Sequence, residues 1–348
     1  GMITERQKGV GIIRLNRPEK LNALTLDDIH QMSAVLEEWA ADEAISWVLL
    51  EGEGRAFCAG GDVVALYRYS METGQFPAPF FRDEFALDRQ VHHFPKPVVS
   101  LYKGVTMGGG VGLTVNADLR ITDETLVWAM PETRLGFMPD VAMGWYLSQL
   151  PQADGLYLSL LGGQLDWQDA LYYGFADLGI QSEDRAAVRS ALLAVEAEGL
   201  DYDGLVEQLQ AAVAPYRQVP GVGPYRREIA PQAARYFEAD HLGVLMEGLQ
   251  ASHEPFATEA LAGLLSRSPL AVAMTFLKYF YGKKWTRDET FAVDLHLLAY
   301  LWEKEEPLEA IRAAMVDKNY RPSYWRTSFG DLDWPGLHAL FSAMPVEG

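Results

Sequence analysis

A triple glycine and two carboxylates carry the chemistry that this sequence predicts. Gly108, Gly109 and Gly110 directly follow an apolar run, and without a Cβ they let backbone N–H groups approach a ligand closely. Further along, Glu132 and Asp140 stand among apolar residues and prolines, a setting that shifts carboxyl pKa values. Oxyanion donors near two such carboxylates indicate chemistry at a carbonyl group. The alternative is close helix–strand packing with two ordinary loop carboxylates.

A second glycine turn lies earlier, in the segment 57–62. It follows a predicted strand, where a backbone N–H group can again face a ligand.

Cys58, within this segment, is the only cysteine of the chain, so we expect neither an internal disulfide nor a multi-cysteine zinc site. His92 and His93 are adjacent and have no third ligand at a suitable spacing, so we expect no metal.

The predicted elements place both turns at the ends of strands. Apolar runs predict strands at 10–15, 47–50, 96–102, 119–122 and 126–129. A capping-box start at Thr25 and apolar residues at helical spacing predict a helix to about Ala41. Residues 67–79 predict an irregular, lid-like loop before a helix that begins at Phe80. The order strand, turn, helix, strand predicts an α/β protein with a mixed sheet and helical crossovers.

Helical periodicity dominates the second half of the chain. Strongly apolar helices are predicted at 256–265, 270–281 and 291–302, and we interpret them as packing rather than a cofactor site. The change of pattern favours a catalytic core over residues 1–200 and a C-terminal helical region over 201–348.

Composition disfavours several classes of protein. The 348 residues are 49% hydrophobic and 22% charged, which is typical of globular domains. No apolar run approaches the length of a bilayer span, so no membrane partner is expected. The net charge of −19 repels phosphate backbones, which disfavours nucleic-acid binding. The first residues lack the pattern of a secretory signal, so we expect a cytoplasmic protein.

The two glycine turns, the strand between them and the two carboxylates, in this order, resemble the crotonase (enoyl-CoA hydratase/isomerase) superfamily. Within it they most resemble the hydrolases of 3-hydroxyisobutyryl-CoA. The matching segments are 13–24, 57–62, 80–85 and 96–150, with patches at 268–269 and 316–319. The resemblance implies a spiral of β-β-α repeats with a C-terminal helical region. It also implies an acyl-CoA substrate and no separate cofactor, since coenzyme A is part of the substrate.

The resemblance also implies roles for individual residues. The N–H groups of Gly61 and Gly109 would hold the thioester carbonyl, while Glu132 and Asp140 would be catalytic and contact the substrate. The remaining substrate-binding residues that it implies are Lys20, near the coenzyme A phosphates, Ala59, Asp62 and Glu84. Glu84 would recognise the hydroxyl of the acyl group through a hydrogen bond.

Gly112 determines which reaction the resemblance implies. Hydratases of the superfamily carry one catalytic glutamate at this position, a second at the position of Glu132, and a glycine at the position of Asp140. Loss of one acid/base group and gain of another carboxylate favour hydrolysis of a short branched hydroxyacyl-CoA, 3-hydroxyisobutyryl-CoA, in valine catabolism. Glu132 would attack the thioester or activate a water molecule, and both routes stay open.

Simpler alternatives stay open for several residues and for the whole chain. Asp140 could cap a helix that begins near Val141, and Lys20 and Glu84 could be solvated. The chain could instead be a hydratase or isomerase, or a catalytically silent acyl-CoA-binding protein. A homo-oligomer formed through the C-terminal helices is neither predicted nor disfavoured.

Overall fold

Nine strands form two sheets in the described part of the chain, residues 1–323 and 328–346 of a computed structural model. The strands are β1 Met2–Gln7, β2 Val10–Leu15, β3 Trp47–Gly52, β4 Ala56–Cys58, β5 Val98–Leu101, β6 Val105–Met107, β7 Leu119–Asp123, β8 Val127–Ala129 and β9 Leu178–Ile180. The larger sheet has the order β1-β2-β3-β5-β7-β9, and the smaller has the order β4-β6-β8.

Successive strands alternate between the two sheets from β3 onward. β1 and β2 form an antiparallel hairpin, whereas the pairs β2–β3, β3–β5, β5–β7 and β7–β9 are all parallel. Parallel neighbours need long connections. The connection from β2 to β3 holds the helix Leu26–Ala41, and each of the three later connections holds one strand of the smaller sheet and at least one helix. This alternation is the predicted spiral of β-β-α units.

Helices fill the connections and most of the C-terminal half. They are α1 Leu26–Ala41, α2 Val63–Thr73, α3 Ala78–His92, α4 Gly109–Val115, α5 Met143–Ser148, α6 Gln152–Leu161, α7 Trp167–Tyr172, α8 Arg185–Leu193, α9 Tyr202–Val213, α10 Ala230–Tyr236, α11 Leu242–Ala251, α12 Pro255–Leu265, α13 Pro269–Tyr281, α14 Arg287–Glu303, α15 Glu306–Ile311 and α16 Trp334–Ser342. The three apolar helices predicted after residue 250 correspond to α12, α13 and α14.

The described residues form two compact units, each built from several segments of the chain. The first unit comprises Gly1–Gly61, Asp83–Trp128 and Leu165–Pro224. The second comprises Asp62–Arg82, Ala129–Gln164 and the described residues from Tyr225 onward. The predicted boundary at residue 200 falls inside the last segment of the first unit, and the division into 1–200 and 201–348 stays a prediction.

The core of the first unit lies on one face of the larger sheet. Ile12, Leu49 and Ile121 are buried on its strands and pack with residues of α8 and α9, such as Leu192 and Leu209. Burying each such side chain contributes about 1.5–3 kcal/mol. The two helices therefore cover one face of the larger sheet, whereas the glycine turns follow β4 and β6 of the smaller sheet.

The core of the second unit is built around α13. Every residue from Pro269 to Tyr279 is buried, and the helix packs against α5, α6, α12 and α16. A helix that is apolar on nearly all sides is stable only where other elements surround it. Within the described residues no single helix is long and apolar enough to cross a membrane, although α12 and the stretch from Pro269 to Lys284 qualify as a pair bent by 112°.

The prediction of an irregular, lid-like loop over residues 67–79 is wrong. α2 and α3 leave only residues 74–77 outside helices. The Asp62 carboxylate caps α2 by accepting a backbone hydrogen bond of 3.1 Å. Only Leu66 and Ser70 are buried on α2, so its apolar stripe is too narrow for hydrophobic periodicity to reveal the helix.

Candidate active site

The two glycine turns lie next to each other in the first unit. A Cβ on Gly60, whose φ is +113°, would lie 3.5 Å from the amide nitrogen of Gly109. Gly109 begins α4 after Gly108, whose φ of 54° favours glycine. N–H groups in the first turn of a helix have no intrahelical acceptor. The Leu24 amide donates a 2.8 Å hydrogen bond to the Gly60 carbonyl and fixes the turn before Gly61.

Glu84 lies at the same turn of the first unit. Its side chain is buried, with 5% of the residue exposed, and a Cβ on Gly109 would lie only 2.6 Å from its Oε2 atom. The preceding Asp83 is 40% exposed and pairs with His30 at 2.7 Å. The alternative of a solvated helix face therefore describes Asp83 but is wrong for Glu84.

Glu132 begins a one-turn helix, Glu132–Leu135, in the second unit. The turn is held at its second residue, because Thr133 Oγ1 donates to the Leu160 carbonyl at 2.8 Å and accepts from Arg267 Nε at 2.9 Å. Both carboxylate oxygens of Glu132 are buried, and among the described residues neither has a hydrogen-bond partner of normal geometry. A buried polar group without a partner is rare in native proteins and calls for a functional explanation.

Asp140 belongs to the same unit and is buried, with 7% of the residue exposed. The following helix begins at Met143 after the N-cap residue Ala142, which makes no side-chain cap hydrogen bond. Asp140 contributes its carbonyl oxygen, which accepts from the Met143 amide at 2.9 Å. The helix-cap alternative therefore does not account for the Asp140 carboxylate.

A buried group of four charges, here named the carboxylate cluster, comprises Glu132, Asp140, Asp294 and Lys278. Burial and then the charge of Asp140 raise the pKa of Glu132 well above its usual value, against the Lys278 ammonium. Burial and then the charge of Asp294 raise the pKa of Asp140 to about 7, again against Lys278. Three carboxyl groups with one cation resist full ionisation, so the cluster retains a proton near neutral pH.

The other predicted substrate-binding residues lie in varied surroundings. Lys20 is exposed at the end of the one-turn helix Pro18–Lys20, and the Ala59 amide donates to the Leu21 carbonyl at 2.9 Å. Asp62 belongs to the second unit and caps α2. None of these contacts identifies a ligand, so the three roles stay predictions.

Cysteine and metal chemistry receive no support from the described residues. Burial raises the pKa of the Cys58 thiol to about 12, so the thiolate that a nucleophile requires does not form near neutral pH. No group of three histidine, cysteine, aspartate or glutamate side chains within the described range could hold a metal ion.

Sequence reasoning missed Lys278 and Asp294, which lie 3% and 0% exposed. Both stand inside helices that were interpreted as apolar packing. A signal was present, because a lysine or aspartate within an otherwise buried helical face must find a partner of opposite charge. The sequence did not reveal that the two residues pair with each other near Asp140.

The fold and the site together define a family. The chain belongs to the enoyl-CoA hydratase/isomerase family, whose model matches residues 10–341. The predicted crotonase resemblance is thereby confirmed. It extends through the C-terminal helices, where the sequence motifs were recognisable only in patches.

Individual relatives match nearly the whole chain. Mitochondrial 3-hydroxyisobutyryl-CoA hydrolase of Danio rerio is 31% identical over 345 residues, covering 99% of this chain and 90% of that protein. A carnitinyl-CoA dehydratase from Mycobacterium thermoresistibile has a TM-score of 0.87 at 30% identity, covering 99% of this chain and 97% of that structure. An enoyl-CoA hydratase from Rhodobacter sphaeroides 2.4.1 has a TM-score of 0.85 at 31% identity, covering 98% and 97%. The crotonase fold is therefore shared over both units of the chain.

Proposed function

We propose that this chain hydrolyses a short branched hydroxyacyl-CoA thioester, 3-hydroxyisobutyryl-CoA, to the free acid and coenzyme A in valine catabolism. The buried pair Glu132 and Asp140 carries the proposal, because a protein that only binds acyl-CoA has no need of two destabilising buried carboxyl groups. Gly112 supports hydrolysis over hydration, since it removes the second acid/base group that hydration requires. The Danio rerio relative, a hydrolase by name, supports the same substrate.

The proposed chemistry assigns each group one task. Ionised Glu132 either attacks the thioester carbonyl, giving a mixed anhydride that water then cleaves, or removes a proton from the attacking water. In both routes the C–S bond breaks and the coenzyme A thiolate leaves and takes up a proton. The N–H groups of Gly61 and Gly109 stabilise the developing oxyanion, where the loss of one donor costs about 100-fold to 1000-fold in turnover. Asp140 orients the water or contacts the substrate hydroxyl.

The raised pKa of Glu132 fixes the direction of the pH dependence. Glu132 acts only when ionised, and burial with the neighbouring charge of Asp140 favours its protonated form. Turnover should therefore rise with pH through a range well above that of an ordinary glutamate. An enzyme already at full rate near pH 5 would contradict the role of Glu132.

The test is a thiol-release assay on a panel of acyl-CoA esters, run beside a hydration assay on crotonyl-CoA. We expect release from 3-hydroxyisobutyryl-CoA to be fastest, and to fall by more than 1000-fold in Glu132→Gln while the thioester still binds in equilibrium dialysis. The exposed Glu259 of the same unit provides the matched control, Glu259→Gln. Thiol release by Glu132→Gln within tenfold of the wild type would refute the assignment.

A hydratase or isomerase is the second candidate. The similarity to the Rhodobacter sphaeroides enoyl-CoA hydratase, at 31% identity, favours it. Disappearance of the enoyl absorbance of crotonyl-CoA without thiol release would establish this second function. Binding of acyl-CoA without either reaction would identify a silent binder.

A further inference from the structure

The backbone beside Asp140 has an unusual conformation. Val141 and Ala142 have φ values of 49° and 60°, in the left-handed region that favours glycine. For a β-branched residue such as Val141 this conformation is a genuine outlier. Strained residues persist only where the surrounding structure holds them, and they cluster at functional sites.

Two side chains from the C-terminal helices hold the turn at both ends. Lys278 of α13 donates from Nζ to the Pro139 carbonyl at 2.6 Å. Asp294 of α14 accepts from the Ala142 amide at its Oδ2 atom, at 2.8 Å. Lys278 and Asp294 also form an ion pair with each other. One buried pair therefore brackets the residues on either side of Asp140.

The packing around Lys278 leaves little freedom for movement. A Cβ on Gly144, in α5, would lie 2.7 Å from the Lys278 Cε atom. A cavity of about 10 Å³ is lined by Lys278 together with residues that include Leu147, Ser148 and Thr275. The lysine stem is thus packed against α5, which leaves the ammonium group little room to leave the turn.

We propose that Lys278 and Asp294 are positioning residues, which hold the left-handed turn and set the charge around Asp140. This inference rests on the proposed function, in which Asp140 belongs to the catalytic site. The charged groups around Asp140 are Glu132 on its one-turn helix, Lys278 on α13 and Asp294 on α14. Lys278 and Asp294 touch no reacting atom in the proposed chemistry and act through Asp140 and Glu132.

Two substitutions separate charge from geometry. Asp294→Asn keeps an Oδ acceptor for the Ala142 amide but removes the negative charge that raises the Asp140 pKa, so Asp140 should ionise at lower pH while the turn is kept. Lys278→Met removes both the cation and the hydrogen bond to Pro139. Its acid limb should move up, and turnover at the optimum should fall by about 100-fold because the turn is displaced.

The matched control is Thr275→Val, which alters the same helix and the same cavity. Thr275 is buried, and among the described residues its hydroxyl has no hydrogen-bond partner, so its removal should leave the pH profile in place. Should Lys278→Met fail to fold, Lys278→Met combined with Asp294→Leu removes both charges together, a replacement that buried ion pairs often tolerate.

A second readout does not depend on turnover. Titration of ¹³C-labelled aspartate carboxyl groups by NMR, with the Asp140 signal assigned through Asp140→Asn, should show the Asp140 pKa falling in Asp294→Asn and rising in Lys278→Met. If the wild type releases no thiol from any acyl-CoA, the proposed function fails while this titration still tests the pair. If both variants only lower the melting temperature, with the Asp140 titration and the pH–rate profile as in wild type, the positioning role is wrong.

Discussion

Replacing Asp140 by asparagine should change the pH dependence of folding stability. The folded-state pKa of Asp140 is raised from 3.8 to about 7 by burial and by the charge of Asp294. A carboxyl group with a raised folded-state pKa contributes its full stability below the unfolded pKa and loses it as pH rises through the folded value. The wild type should therefore lose stability between about pH 4 and pH 7, and Asp140→Asn should be spared this loss.

The magnitude follows from the same pKa values. Raising an aspartate pKa from 3.8 to about 7 corresponds to about 4 kcal/mol of free energy of unfolding lost above pH 7. Asp140 is only 7% exposed, so solvent screening reduces this figure little. The free energy of unfolding of Asp140→Asn, minus that of the wild type, should increase by up to about 4 kcal/mol between pH 4 and pH 8.

Urea unfolding followed by circular dichroism, repeated across this pH range, measures the difference. Any constant effect of the amide cancels, because only the change of the difference with pH is interpreted. Asp240→Asn replaces an exposed aspartate of the same unit and serves as the control. A difference between Asp140→Asn and wild type that stays constant from pH 4 to pH 8 would refute the buried, charge-coupled state assigned to Asp140.

Three further predictions concern the glycine turn and the pH profile. Glu84→Ala should abolish the preference for 3-hydroxyisobutyryl-CoA over isobutyryl-CoA, measured as the ratio of their kcat/KM values. The kcat/KM on the hydroxylated substrate should fall by about 100-fold or more, and an unchanged ratio would contradict recognition of the hydroxyl by Glu84. Gly109→Ala keeps the N–H group but places a Cβ 2.6 Å from the Glu84 Oε2 atom, so the Glu84 carboxylate must shift. This displacement should lower kcat/KM on that substrate by about 100-fold, and near-normal kinetics would contradict the placement of Glu84 at the turn. In Asp140→Asn the residual activity should have its acid limb at lower pH, because the charge that raises the Glu132 pKa is removed.

Local sequence signals predicted the elements that bury one clear face. The strand at 10–15 and the helix from Thr25 to Ala41 were predicted correctly because apolar spacing and the capping box agree. α2 was missed because only Leu66 and Ser70 are buried on it. The spiral of β-β-α units, with strands in two sheets, was predicted only through the family resemblance. Pairing between strands that are distant in sequence cannot be inferred from the local pattern of residues.

The candidate site was predictable where backbone chemistry or a motif marks it. The triple glycine indicated the turn at Gly109, and the apolar, proline-rich setting indicated the carboxylates Glu132 and Asp140. The resemblance added Glu84. The burial of Glu84, and the effect of the Asp140 charge on the Glu132 pKa, could be recognised only from the structure. Both properties depend on which helices surround each carboxyl group. The spacing of residues within a single helix or strand does not predict those tertiary neighbours.

The pair Lys278 and Asp294 alters the interpretation of the C-terminal helices. Apolar residues at both positions would bury the same surface with a smaller loss of folding stability. Each buried charge loses several kcal/mol of hydration free energy, and an ion pair offsets this loss only when its geometry is good. Lys278 donates a hydrogen bond to the Pro139 carbonyl, and Asp294 accepts one from the Ala142 amide. Pro139 and Ala142 are the two residues that flank Asp140 and Val141. Packing alone gives no reason for charges at these positions, whereas the need to hold a left-handed turn beside the carboxylate that we propose as catalytic does. On this reasoning α13 and α14 belong functionally with Glu132 and Asp140, although the chain reaches them more than one hundred residues later.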